Sequence, residues 1–89
     1  MTGYRVDLSK TAEKQIKKLD KPLQKAADAL FMRIGTLTDP RSVGHALHGV
    51  LSDYWTYTIH GDWRAIAMIL DETVTIEIIK IAARDKVYK

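Results

Sequence analysis

The stretch YWTYTIHGDWRAIAMILDETVTIEIIKIAARDKVY, residues 54–88, decides the fold. It contains three runs rich in β-branched, aromatic and aliphatic residues, the composition typical of strands: Tyr54–His60, Trp63–Leu70 and Thr73–Ile81. Two residues separate each run from the next, and links this short join antiparallel neighbours. The stretch therefore predicts three consecutive antiparallel strands.

A fourth strand is predicted near the N-terminus, where Gly3–Leu8 alternates apolar and polar residues as a strand with one buried face does. The run Thr73–Ile81 is apolar on both faces, and a strand of this kind lies inside a sheet that is covered on both sides. Simple alternation places Val74, Ile76 and Ile78 on one face, and Ile79 and Ile81 on the other. We therefore expect the first strand to pair beside the last.

Two helices are predicted between the first strand and the C-terminal strands. Ser9 stands at the N-cap position of a short amphipathic helix with a basic outer face. Asp20-Lys21-Pro22 indicates a break and a restart, because proline is accepted in the first turn of a helix. Apolar residues at helical spacing from Leu23 to Leu37 then predict a longer second helix. The short joint predicts an antiparallel helical hairpin.

The predicted fold class is α+β, with the order β-α-α-β-β-β and a curved, mainly antiparallel sheet that carries the helical hairpin on one face. Its 89 residues predict one domain, 1–89, with a net charge of +3. The absence of cysteine excludes a disulfide framework and a thiolate metal site. The chain has neither an apolar run long enough to span a membrane nor the apolar core of a signal peptide, which predicts a cytoplasmic protein without a membrane partner.

A long irregular stretch, residues 41–53, follows Asp39-Pro40, where the second helix is expected to end. A loop of this length in a small domain is usually functional or is packed by its own apolar residues. Leu47 and Leu51 are available for such packing.

The register of the first C-terminal hairpin decides which polar residues meet. With a two-residue loop, His60 pairs with Trp63, and Arg64 falls on the face of Tyr57 and Ile59. With a three-residue loop, in which Gly61 is left-handed or bulged, His60 pairs with Arg64 instead. We favour the three-residue loop, because it groups the polar side chains and leaves an aromatic and aliphatic face to pack under the helices. The shared polar face would carry Thr56, Thr58, His60 and Arg64.

Across nearly its whole length the chain resembles the RelE/ParE superfamily of small toxins from bacterial and archaeal toxin–antitoxin pairs. The order and spacing of several short segments carry the resemblance together. These segments are Tyr4-Arg5-Val6 with Ser9 and Ala12, Lys18-Leu19, Asp39-Pro40-Arg41 with Gly44, Leu47-His48-Gly49, Gly61-Asp62-Trp63-Arg64, Ala83-Arg84 and Val87-Tyr88.

The resemblance implies a toxin that acts without a cofactor or metal. RelE-like members are ribosome-dependent endoribonucleases that cut mRNA by activating the 2′-hydroxyl against the adjacent phosphate. ParE-like members share the fold and bind DNA gyrase. In both branches a cognate antitoxin folds a disordered segment onto the toxin. The implied partners are therefore an antitoxin, the ribosome with mRNA, and operator DNA reached only through the antitoxin.

The resemblance also implies site residues, since the chemistry needs a base, an acid and cationic groups for the phosphate. Arg64 and Arg84 match two family arginines, and Tyr88 matches a C-terminal tyrosine that stacks on a base or helps proton transfer. The alternative to a catalytic role for Arg64 is a structural ion pair with Glu77 or Asp71. Expected RNA contacts come from Arg41, His45, His48 and Lys86.

The sequence departs from the RelE pattern at two strand positions, where Thr56 and Thr58 replace lysines. Histidine is the natural substitute base, because it exchanges protons near neutrality. The histidines and aspartates also resemble the YafQ-like branch, so His60 and Asp62 join the predicted catalytic residues. The missing lysines leave two alternatives open: a ParE-like inhibitor that binds gyrase, and a module of the same fold that binds antitoxin without toxicity.

Overall fold

The structure, a computed structural model, describes residues 3–83. Two helices and five strands form one mixed sheet with a helical layer on one side. The elements are β1 (Arg5–Leu8), α1 (Lys10–Lys18), α2 (Lys21–Thr36), β2 (His45–Ala46), β3 (Trp55–His60), β4 (Trp63–Leu70) and β5 (Thr75–Ala83). The predicted α+β class and element order are confirmed, with the two-residue strand β2 as an addition.

The strand order is β1-β5-β4-β3-β2. The pairs β2–β3, β3–β4 and β4–β5 are antiparallel, whereas β1 runs parallel to β5 with Val6 opposite Ile76. A parallel neighbour requires a crossover connection, and the chain between β1 and β5 contains both helices. The expectation that the first strand pairs beside the last is therefore confirmed.

Each helix begins at a residue whose side chain caps it. Ser9 Oγ accepts a hydrogen bond from the backbone N–H of Ala12 at 3.0 Å, and Asp20 Oδ1 accepts one from Leu23 at 3.2 Å. These bonds satisfy N–H groups that have no partner in the first turn. The Ser9 hydroxyl also donates to the carbonyl of Ile79 at 2.5 Å, so this cap joins α1 to β5.

Ser9→Ala is expected to cost about 2 kcal/mol of unfolding free energy, because it removes a cap and a helix-to-strand hydrogen bond together. The matched control is Asp20→Ala, which removes an exposed cap alone and should cost about 1 kcal/mol. Urea unfolding monitored by circular dichroism measures both values. Equal losses in the two variants would contradict a structural role for the bond to Ile79.

The main core lies between the helices and the sheet. From α2 it takes Ala27, Leu30, Phe31 and Ile34, and from the sheet it takes Tyr57, Ala65, Ala67, Ile76, Ile78 and Ile81. Trp55 and Ile59 pack against the same cluster, as the sequence predicted. Burial raises the pKa of Tyr57 to about 12, and its hydroxyl donates to the Pro40 carbonyl at 2.6 Å. This phenol is therefore a neutral structural group at physiological pH.

A bulge in β5 corrects the predicted faces of that strand. Ile78 pairs with Ala67 and Lys80 pairs with Ile66, so Ile79 is an extra residue in the ladder. The bulge brings Ile81 to the helix side with Ile76 and Ile78, where simple alternation had placed it on the other face. Val74 was also placed wrongly, because it lies before the strand in a left-handed turn with φ 50°.

Candidate active site on the open sheet face

The hairpin between β3 and β4 combines features of both predicted registers. Its loop has two residues, Gly61 and Asp62, and His60 pairs with Trp63, so the favoured pairing of His60 with Arg64 is wrong. Ile59 forms a bulge, however, and Thr58 consequently pairs with Arg64. The predicted grouping of Thr56, Thr58 and Arg64 on one face is confirmed, without His60.

Directly opposed residues in an antiparallel pair share a face of the sheet. The face away from the helices, which we call the open face, therefore carries two rows across the strands. One row contains Ala82, Arg64 and Thr58, and the other contains Lys80, Ile66, Thr56 and His45. Strand spacings put the Cα atoms of His45 and Arg64 about 12 Å apart. Two long cations and one histidine thus border the same patch.

Arg64 sits at the hairpin end of the open face and is half-buried. Its Nη1 donates to the carbonyl oxygens of Gly61 at 2.5 Å and Trp63 at 3.3 Å. Within residues 3–83 it forms no ion pair, so the alternative of a bridge to Glu77 or Asp71 is wrong for this part of the chain. Its other guanidinium nitrogens make no hydrogen bond to residues 3–83.

Part of the open face is covered by the loop that precedes β3. Leu47 is 3% exposed and packs with Ile66, while Leu51, Tyr54 and Ala82 surround this pair. The expected packing role of Leu47 and Leu51 is therefore confirmed. The hairpin end, with Thr58 exposed, is left open.

The histidines occupy different places. His45 in β2 is exposed and pairs with Thr56, which puts its side chain on the open face. His60 is exposed opposite Trp63, whose ring packs on the helix side, and Asp62 is exposed in the turn. His48 is exposed before the 3₁₀ turn Gly49–Leu51. The register therefore puts His45 on the same face as Arg64 and His60 on the face of Trp63, although His60 is the nearer of the two to Arg64.

Arg41 lies at the far end of the sheet. Its guanidinium forms a bidentate pair with Asp71, with Nη1 to Oδ1 and Nη2 to Oδ2 both at 3.0 Å, and the Tyr4 hydroxyl donates to the same carboxylate at 2.8 Å. Asp71 is seven residues beyond Arg64 along β4, about 23 Å away. The structure therefore does not bring Arg41 together with Arg64, and its predicted RNA contact would be remote.

The Arg41 pair predicts a pH dependence of stability. Hydrogen bonds from Arg41, and then from Tyr4, lower the pKa of Asp71 below its ordinary value of 3.8. A lowered pKa in the folded state adds stability that is present at neutral pH and is lost as the pH falls through the acidic range. The melting-temperature gap between wild type and Asp71→Asn should therefore be widest above about pH 5 and narrow towards pH 2.

Arg41→Gln should show the same narrowing, because it removes the largest cause of the shift. Thermal unfolding over a series of acidic buffers measures it. A gap that stays constant from neutral to acidic pH would contradict the assignment.

Three predicted residues, Arg84, Lys86 and Tyr88, lie outside the described residues. The described chain ends at Ala83, which pairs with Trp63, one position from the pair of Ala82 with Arg64. Among residues 3–83 no group of three or more histidine or acidic side chains is arranged to hold a metal ion. No helix in this range is both long and apolar enough to cross a membrane.

Two features of the site escaped the sequence reasoning. The place of Lys80 on the open face depends on the bulge at Ile79, and the place of His45 depends on the two-residue strand β2. Neither a bulge among similar aliphatic residues nor a strand this short leaves a periodic pattern to detect.

Comparison with known proteins identifies the family of this chain. The model of the family described as the ParE toxin of type II toxin–antitoxin system, parDE, matches residues 6–88. This chain belongs to that family. The predicted membership of the RelE/ParE superfamily is thereby confirmed, and the chain is a toxin of the RelE/ParE type. The preference for the RelE/YafQ-like branch stays a prediction.

Solved structures of related toxins show the same fold. A chain of the toxin–antitoxin complex RelBE2 from Mycobacterium tuberculosis is 26% identical, with 94% of each chain covered and a TM-score of 0.82. The archaeal RelE–RelB complex from Pyrococcus horikoshii matches at 23% identity, over 94% of this chain and 97% of that one, with a TM-score of 0.71. A chain of the intact RelBE toxin–antitoxin complex of E. coli is 21% identical. That match covers 90% of this chain and 95% of the other, with a TM-score of 0.73. A comparison with curated protein sequences finds no match.

Proposed function

We propose that this toxin is a metal-independent, ribosome-associated mRNA endoribonuclease that inhibits translation. The observation that carries the proposal is the register of the sheet, which gathers Arg64, Lys80, Thr58 and His45 on the open face. Two cations on the same face as an imidazole suit a phosphodiester, because a guanidinium can bind two phosphate oxygens at once.

In the proposed reaction the 2′-hydroxyl oxygen attacks the adjacent phosphorus and the bond from phosphorus to the 5′-oxygen breaks. A base takes the 2′-hydroxyl proton and an acid protonates the leaving 5′-oxygen, so the products are a 2′,3′-cyclic phosphate and a 5′-hydroxyl. Charge that gathers on the phosphate oxygens is stabilised by fixed cations.

We assign the phosphate contact to Arg64 and the base to His45, which shares its face. The resemblance adds Arg84 as a second cation, Tyr88 as a stacking or proton-transfer group, and Lys86 as an RNA contact. His60 and Asp62, exposed at the hairpin turn, remain a second choice for proton transfer.

The proposed protein partner is a cognate antitoxin, through which alone the toxin would reach operator DNA. Three of the solved relatives, from M. tuberculosis, P. horikoshii and E. coli, are toxin–antitoxin complexes. The structural alignment covers 90% or more of this chain in each of these matches, which supports the same kind of partner here.

The proposal is tested in a cell-free translation reaction with a defined reporter mRNA. Added toxin should stop protein synthesis, and primer extension should map cuts in the mRNA only when ribosomes are present. Intact mRNA at a toxin concentration equal to that of the ribosomes would overturn the proposal.

A second candidate is a ParE-like inhibitor that binds DNA gyrase. The family model that matches is the ParE model, and Thr56 and Thr58 supply no positive charge next to Arg64. Supercoiling by purified gyrase separates the two candidates. Inhibition of supercoiling together with intact mRNA would favour the gyrase inhibitor.

A further inference from the structure

The buried hydroxyl of Thr56 has no structural role in the part of the chain that the structure describes. The residue is 2% exposed, and no hydrogen-bond partner for Oγ1 exists within residues 3–83. Thr75 provides the contrast, since it is 9% exposed and its hydroxyl donates to the Thr73 carbonyl at 2.9 Å. Nearly all buried polar groups in folded proteins are paired. The unpaired hydroxyl of Thr56 therefore needs an explanation.

The segment 47–51, which we call the cover, explains why this hydroxyl is hidden. Leu47 follows β2 and packs on Ile66 of β4, and β3 lies between those two strands. A contact from β2 to β4 on the open face must pass above β3, the strand that carries Thr56.

The cover is anchored lightly. Its backbone bonds to Tyr54, the residue before β3, run from Leu47 N–H to Tyr54 O at 3.1 Å and from Tyr54 N–H to Leu51 O at 2.9 Å. Its apolar contact consists of two buried residues, Leu47 and Ile66, with three partly buried neighbours. Val50, at the tip of the cover, is 99% exposed. A segment with so few buried contacts opens at low cost relative to the main core.

We propose that the cover lifts when the toxin binds its target, and that the Thr56 hydroxyl then donates a hydrogen bond to the target beside Arg64. Thr56 and Thr58 project from the same face of β3, and Arg64 pairs with Thr58, so a bound RNA backbone would span all three. The inference uses the proposed location of the site on the open face. It adds a contact that the closed form conceals, and it assigns the unpaired hydroxyl a partner outside the free protein.

The test compares Thr56→Val, Thr56→Ser and Thr75→Val. Thr56→Val should raise the urea midpoint of unfolding, because it replaces an unpaired buried hydroxyl with a methyl group of similar size. It should also lower toxicity about tenfold, measured as the inducer level that arrests growth at equal amounts of soluble protein. Thr56→Ser keeps the hydroxyl and should remain toxic. The control Thr75→Val removes a paired hydroxyl far from Arg64, so it should lower the midpoint and leave toxicity unchanged.

Two results would overturn the proposal. A lower midpoint in Thr56→Val would mean that the hydroxyl already has a partner in the free protein. Growth arrest by Thr56→Val at the wild-type inducer level would mean that the hydroxyl makes no target contact. Growth arrest reports toxicity whatever the target is, and mRNA cleavage is measured separately. Growth arrest without mRNA cleavage would therefore overturn the proposed endoribonuclease activity, and Thr56 would remain a contact to another target.

Discussion

Arg64→Ala is expected to lower mRNA cleavage by about 10²–10³-fold, the loss that follows removal of one fixed donor from a developing negative charge. In the structure the guanidinium is held at the hairpin end of the open face by the carbonyl oxygens of Gly61 and Trp63. These bonds use Nη1 alone, and the expected phosphate contact would come from the remaining nitrogens. The measurement is the rate of primer-extension product in the cell-free reaction.

A loss of structure must be separated from a loss of chemistry in this experiment. The two bonds that the variant removes run from an exposed hairpin turn, and their loss should cost about 1 kcal/mol or less of unfolding free energy. Arg64→Lys keeps the charge without the planar fork and should recover only part of the activity. The matched control is Arg33→Ala, because Arg33 is exposed near the end of α2 and makes no side-chain hydrogen bond or ion pair within residues 3–83.

The possible outcomes distinguish a catalytic role of Arg64 from a structural one. Full cleavage by Arg64→Ala would show that the open face has been assigned wrongly. A loss of cleavage matched by an equal loss of folded protein would mean that Arg64 stabilises the hairpin and takes no part in the reaction. Loss of cleavage with an unchanged unfolding midpoint is the result that we expect.

Local signals in the sequence were sufficient to predict the helices and the long strands. Ser9 and Asp20 both cap helices as their positions predicted, and the proline after Lys21 stands in the first turn of α2. Such signals act within a few residues of the helix end, so tertiary packing does not override them. The pairing of β1 beside β5 was also predictable, because a strand that is apolar on both faces lies inside a sheet and so has a neighbour on each side.

The candidate site was harder to predict, because it depends on two bulges. One extra residue, Ile59, returns Thr58 to the position opposite Arg64 although the loop itself has only two residues. A second, Ile79, turns Lys80 towards the open face and Ile81 towards the core. The inserted residue is an isoleucine in both strands, and neither the alternating run around Ile59 nor the apolar run around Ile79 reveals which residue is unpaired. The choice is made by packing under the helices.

Gly44→Ala is expected to cost about 3 kcal/mol or more of unfolding free energy, because it combines backbone strain with a collision. Gly44 has φ +81°, a conformation that an L-residue adopts only under strain. A Cβ there would collide with the carbonyl oxygen of Thr56 and would lie 2.6 Å from Trp55 Nε1. The indole cannot move away freely, since Nε1 donates to the Val43 carbonyl at 2.8 Å.

Gly49→Ala is the matched control for this prediction. Gly49 is also left-handed, at φ +66°, but a Cβ there would meet nothing within 4 Å. The same chemical change then costs only the backbone term, about 1 kcal/mol. Both variants lose the same flexibility in the unfolded chain, so the difference between their urea midpoints isolates the collision at Thr56.

The collision also concerns function, because Gly44 immediately precedes β2 and Thr56 pairs with His45. A shift that relieves the contact with the Thr56 carbonyl must move β2 away from β3, and His45 would move with it. We therefore expect Gly44→Ala to lose toxicity even at temperatures where it remains folded. Equal midpoints for the two variants would show that the chain around Gly44 yields easily, and that β2 does not hold His45 in place.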